Sequence, residues 1–66
     1  MTPKEKSIQL VDKFESYCEG VMEYQKECAL IAVDEIIAEF HMHDYSDYME
    51  HRFQYFIQVK HEIENL

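Results

Sequence analysis

The chain has 66 residues, too few for more than one domain, and carries 14 acidic against 6 basic side chains for a formal net charge of −8. That balance argues against direct binding to DNA, RNA or anionic lipid, because neutralisation of phosphate dominates such affinities. A composition 47% hydrophobic and 14% aromatic also argues against a disordered acidic tail.

A fold this small needs help to stay folded. Ordering a residue costs about 1.5 kcal/mol, so small cores come out near balance without disulfides, metals, very regular helix packing or association. Two cysteines, Cys18 and Cys28, are present. The start, Met1-Thr-Pro-Lys-Glu-Lys, is charged and unlike a signal peptide. The plainer reading is a pair of buried free thiols in a reducing compartment. Half of a twin Cys-x9-Cys framework is the alternative, with its second half missing. The longest apolar run, Cys28-Ala-Leu-Ile-Ala-Val33, is far short of the roughly 18 residues that cross a bilayer. A soluble cytoplasmic protein is therefore expected.

Gly and Pro occur once each, so turns are scarce and helical periodicity dominates. The first helix is predicted over 3–19. Thr2 suits its N-cap, Pro3 its first position and Glu5 its third, which completes a capping box. Ile8, Val11, Phe14, Cys18 and Val21 recur at three- and four-residue spacing and form its apolar face. Gly20 is expected to end it. Glu15, Glu19, Glu23 and Glu27 fall every four residues and would repel one another along one unbroken helix. A break puts Glu23 at a new N-terminus, where the helix dipole favours it. The competing reading is a single long helix through Gly20, since Phe14, Cys18, Val21, Cys28 and Ala32 nearly share a face.

The second helix is predicted over 21–40. Met22, Ala29, Ala32, Val33, Ile36 and Phe40 lie on one side, and Leu30, Ile31 and Ile37 widen the apolar surface beyond one stripe. Such a helix is buried on more than one side. A connector rich in His leads to a third helix over 47–65, with Ser46 or Asp47 as cap and Glu50 completing a second capping box. Asp47, His51, Gln54, Gln58, His61 and Asn65 form its polar stripe. Met49, Phe53, Phe56, Val59, Ile63 and Leu66 form its apolar face. The reading is one all-α domain over 1–66, a helical hairpin plus a third helix, whose surplus apolar surface is covered by self-association.

Three stretches carry a resemblance. They are Thr2-Pro-Lys-Glu-Lys with Leu10-Val-Asp-Lys-Phe14, then Cys28-Ala-Leu-Ile-Ala-Val-Asp-Glu-Ile-Ile37, then Val59-Lys-His-Glu-Ile-Glu-Asn-Leu66. They resemble the TPKEKA-like, CALIAVDEI-like and VKxEIxxL-like blocks of a family of short bacterial and phage proteins with no assigned activity. The stretch from Glu15 to Glu27 departs from that pattern. The resemblance implies a phage-borne gene and transfers no functional residue.

Among groups that carry chemistry, His41 and His43 are weak metal candidates, flanked by Asp44, Asp47, Glu50 and His51. No HExxH, Cys-x2-Cys or EF-hand spacing supports them. An activated nucleophile and a glycine-rich phosphate loop are both missing, so the chain is expected to be no enzyme and to need no cofactor. The better binding candidate is a flank of the third helix, Tyr48, Arg52 and Tyr55, continued by Phe56 and Lys60. Arginine between aromatics stacks on a planar ring while forking to an anion. The plainer reading is core-edge packing, with Arg52 paired to an acid. Three functions follow as expectations. The first is a homo-oligomer that sequesters a nucleotide-derived host immune signal. The second is a protein–protein inhibitor or acidic nucleic-acid mimic that captures a host protein through the regular glutamates. The third is a structural or assembly protein.

Overall fold

A computed structural model describes the backbone of residues 1–41 and 47–66, and all side chains except those of residues 41–49. The described residues form three α-helices and no strand: α1, Pro3–Lys13; α2, Met22–His41; and α3, Asp47–Glu64. The all-α expectation holds.

The start of α1 is as predicted. The Thr2 hydroxyl accepts from the Glu5 N–H at 3.1 Å, and the Glu5 carboxylate accepts from the Thr2 N–H at 3.1 Å. Two of the orphan donors at the helix start are thereby satisfied reciprocally. The acceptor bonds draw the Glu5 carboxyl below its ordinary pKa of 4.5, the Thr2 backbone contributing most.

The end of α1 corrects the prediction. The helix stops at Lys13, six residues before 19. The N–H groups of Phe14 and Glu15 bond three residues back, to Val11 and Asp12, rather than four. The Val11 carbonyl also accepts from the Gln25 side chain at 3.0 Å. A tertiary donor thus occupies the acceptor that would have continued the α-helical ladder. The chain then makes tight turns over 14–20. It reverses where Glu19 and Gly20 both take positive φ, 53° and 76°. The Gly20 N–H reaches back to the Glu15 carbonyl at 2.9 Å, the six-to-one bond of a Schellman reversal. One continuous helix through Gly20 is therefore ruled out. As expected, Glu23 falls in the first turn of α2.

The buried face of α1 is also rotated from the predicted one. Val11 and Ser7 are fully buried and Leu10 and Phe14 are half-buried, whereas Ile8 is 42% exposed. The Ser7 hydroxyl donates to the Lys4 carbonyl at 2.6 Å. Burial of this polar group therefore leaves no unmet hydrogen bond.

The helices pack pairwise around one core of Val11, Ala29, Val33, Phe40, Phe56, Val59 and Ile63. Cross-contacts give the directions. Met1 meets Tyr55 and Lys4 meets Glu62, so α1 runs parallel to α3. Lys26 meets Leu66, Asp34 meets Lys60 and Phe40 meets Phe53, so α2 runs antiparallel to α3. Eleven residues of α1 rise about 16 Å and the twenty of α2 about 30 Å. Consequently α1 covers only part of the α2–α3 hairpin. The remaining arm is held by the Phe40, Phe53 and Phe56 rings, whose centroids lie 6.1 and 6.3 Å from Phe40.

Apolar surface remains uncovered around the reversal and along α2. Tyr17 is 82% exposed, Ile31 64%, Tyr24 57%, Met22 53% and Val21 42%. Among the described residues no helix is long and apolar enough to cross a membrane.

Candidate functional site

The parallel packing of α1 and α3 leaves an open cleft of about 480 Å³ between their flanks, lined by Met1, Lys6, His51, Arg52, Tyr55 and Phe56. Arg52, Tyr55 and Phe56 follow one another at three- and four-residue spacing and so share a face of α3. The Arg52 guanidinium carbon stands 5.7 Å from the centre of the Phe56 ring, within cation–π range. Phe56 is itself buried, and the Tyr55 ring meets it edge-on at 5.3 Å. The arginine is thus stacked on a ring that packing holds still. The Tyr55 hydroxyl donates to the Met1 carbonyl at 3.1 Å and bolts the chain start across α3. Lys6 enters from α1, its ammonium donating to the Gln9 side chain at 3.1 Å.

Charge separates this cleft from two others. A cleft at the opposite end is lined by Met22, Glu23, Lys26, Glu27, Leu30, Glu64 and Leu66, three carboxylates against one ammonium. Another, along α1, is lined by Met1, Glu5, Ile8, Gln9, Asp12 and Lys13, again with a carboxylate excess. Among the described side chains, the Lys6–Arg52 cleft is lined by two cationic groups, by His51 and by no carboxylate. The chain carries a net charge of −8, yet acids beyond about 8 Å are largely screened at physiological salt. The volume of the Lys6–Arg52 cleft, like the 610 and 580 Å³ of the other two, lies in the range of about 300–1,000 Å³ typical of small-molecule sites, so charge and not size distinguishes it.

The expected binding residues are only partly brought together. Arg52, Tyr55 and Phe56 line the cleft. Lys60 does not: its ammonium reaches across to the Asp34 carboxylate on α2 at 2.9 Å. That hydrogen bond and charge push the Lys60 pKa up. Lys60 therefore clamps α3 to α2. The Tyr48 side chain lies outside the described residues, as do His43 and the His41 side chain. The sequence does not mark Lys6 as a site residue, and it places His51 only in the polar stripe and beside the metal candidates. Nothing local to Lys6 marks it, since its nearness to Arg52 comes from helix direction.

Among the described residues no cluster of three or more His, Cys, Asp or Glu is placed to hold a metal ion. The glutamates at 15, 19, 23 and 27 are exposed, but the reversal at Glu19 and Gly20 divides them between two segments. Their even spacing in sequence is not that of one helix face. Cys18 and Cys28 are free and half-buried, with Sγ atoms 3.7 Å apart.

In comparisons with known proteins, no family, no characterised protein and no solved structure matches the chain.

Proposed function

We propose that this chain is a non-enzymatic binding protein whose cleft between α1 and α3 takes a small anion bearing a planar ring. A nucleotide-derived signal is the ligand class that fits. The observation that carries the reading is that Lys6 and Arg52 line one cleft whose described walls hold no carboxylate, on an otherwise acidic chain, with Arg52 over the Phe56 ring. Guanidinium and ammonium groups supply charge-assisted bonds to phosphate, and the half-buried Tyr55 ring is the aromatic surface left for a base.

The protein acts as a homo-oligomer that sequesters its ligand in a bacterial cytoplasm. Support for association comes from Tyr17, Val21, Met22, Tyr24 and Ile31, which expose apolar surface along one stretch of the chain. The resemblance to phage proteins supports a role against host defence, with an immune nucleotide as the molecule removed.

Calorimetric titration of the purified protein with a panel of cyclic dinucleotides and ADP-ribose-type nucleotides tests the reading. Saturable heat at one site per chain is expected. Absence of binding across the whole panel overturns it.

A further inference from the structure

We propose that Cys18 and Cys28 form a reversible redox pair, oxidised to an intramolecular disulfide that fastens the 14–20 turn to α2. The inference stands apart from the ligand-binding reading. Cys18 lies in the last turn before the reversal at Glu19 and Gly20, and Cys28 lies in the second turn of α2. Their sulfurs are in contact at 3.7 Å. A disulfide bond is about 2.05 Å long, so the sulfurs need to approach by less than about 2 Å. One partner sits on a turn rather than in an α-helix, so the backbone on that side can accommodate the approach.

Chemistry and access fit the same role. Both thiols are half-buried, which leaves them partly open to a small disulfide. Burial, and then contact with Cys28, push the Cys18 thiol above its ordinary pKa. Cys18 therefore favours the protonated thiol, and exchange proceeds from its small thiolate fraction.

The oxidant is a low-molecular-weight disulfide of the glutathione class, acting by thiol–disulfide exchange. One protein thiolate attacks a sulfur of the small disulfide. A mixed disulfide forms and the first small thiolate leaves. The second protein thiolate then attacks the protein-side sulfur of the mixed disulfide. The Cys18–Cys28 bond forms and the second small thiolate leaves. The protein gives up two electrons and two thiol protons, and one small disulfide becomes two small thiols. A reducing excess of the small thiol runs the sequence backwards.

The disulfide closes a short loop over the segment 18–28, which contains the only glycine and a stretch of turns. Closing a loop of this length restricts the unfolded chain and raises the melting temperature by about 10–20 °C for a domain of this size. The full chain is equilibrated with oxidised glutathione and read by intact mass, free-thiol count, size and thermal melting. The expected product has lost both thiols, carries no glutathione, remains the size of the reduced protein and melts higher. Cys18→Ser and Cys28→Ser, each with one thiol, are expected to retain a glutathione adduct. Three results overturn the proposal: a wild-type protein that keeps stable glutathione adducts, one that links covalently to a second copy, or one that keeps both thiols. An intramolecular disulfide that leaves the melting temperature unchanged or lower overturns the fastening role.

Discussion

The side chain of Gln25, 3% exposed, donates to the backbone carbonyl of Val11 at 3.0 Å and joins α2 to the end of α1. Val11 is buried beside it and sits in the core. This single amide marks where α1 stops and where α2 packs. Gln25→Leu removes the donor and leaves the carbonyl its remaining bond from the Phe14 N–H. Since that acceptor keeps one partner, the loss is expected near the low end of the usual range, about 1 kcal/mol. Urea unfolding of the variant and the parent measures it.

The reversal stores strain at Glu19, a residue with a Cβ held at φ 53°. The left-handed conformation costs an L-residue about 1–2 kcal/mol, and glycine avoids that cost. Glu19→Gly is expected to stabilise the fold by about 0.5–1 kcal/mol after the extra freedom of the unfolded chain is subtracted. Gly20→Ala is expected to destabilise by about 1 kcal/mol through the same preference. An added methyl at Gly20 would meet nothing within 4 Å, so backbone strain alone decides the sign. Thermal melts of the two variants should move in opposite directions.

The acid limb of the stability curve should carry a contribution from Glu5. Its carboxyl pKa is lowered in the folded chain by the Thr2 N–H and then by the Thr2 hydroxyl. A depressed pKa means that the unfolded state binds its proton first as pH falls. The stabilisation is therefore complete above the ordinary value of 4.5 and is lost as pH falls below it toward the folded value. Glu5→Gln should flatten this part of the stability–pH profile. Thr2→Ala should lower stability by about 1 kcal/mol at neutral pH.

The proposed self-association would use an exposed patch that can be charged by one substitution. Ile31 is 64% exposed on α2 and Tyr24, one heptad earlier, is 57% exposed. Ile31→Glu should leave the helical content intact and shift the assembly to monomer, as read by light scattering. A wild-type protein that is already monomeric contradicts the oligomer.

Much of the fold was legible in the sequence where the signal is local. Thr2, Pro3 and Glu5 announce the start of α1, and the capping box is present as read. The exposed run of His51, Gln54, Gln58, His61 and Asn65 and the buried Phe56, Val59 and Ile63 follow from the 3.6-residue period of α3. The failures are tertiary. α1 ends early because a side chain fourteen residues away bonds to Val11. Ile8 is largely exposed while its neighbour Ser7 is buried, a rotation of the face that the periodicity of apolar residues does not reveal. In the candidate site, Arg52, Tyr55 and Phe56 were legible from spacing on one helix. Lys6 was not, because its place depends on α1 running parallel to α3. Lys60 fits the same spacing rule yet turns to Asp34, a partner on another helix.

Alanine at Arg52 should weaken binding of a nucleotide-class ligand by about tenfold or more, the scale of one charge-assisted bond. Alanine at Lys60 should leave affinity unchanged, since its ammonium is engaged with Asp34 outside the cleft. Calorimetry on the two variants separates a cleft contact from a structural clamp.

The most direct measurement is a nuclear magnetic resonance titration of the full chain with the tightest ligand of the nucleotide panel. The account predicts that the largest chemical-shift changes fall on Lys6, His51, Arg52, Tyr55 and Phe56. Changes confined to the exposed stretch 17–31, with the walls of the Lys6–Arg52 cleft unmoved, would contradict it.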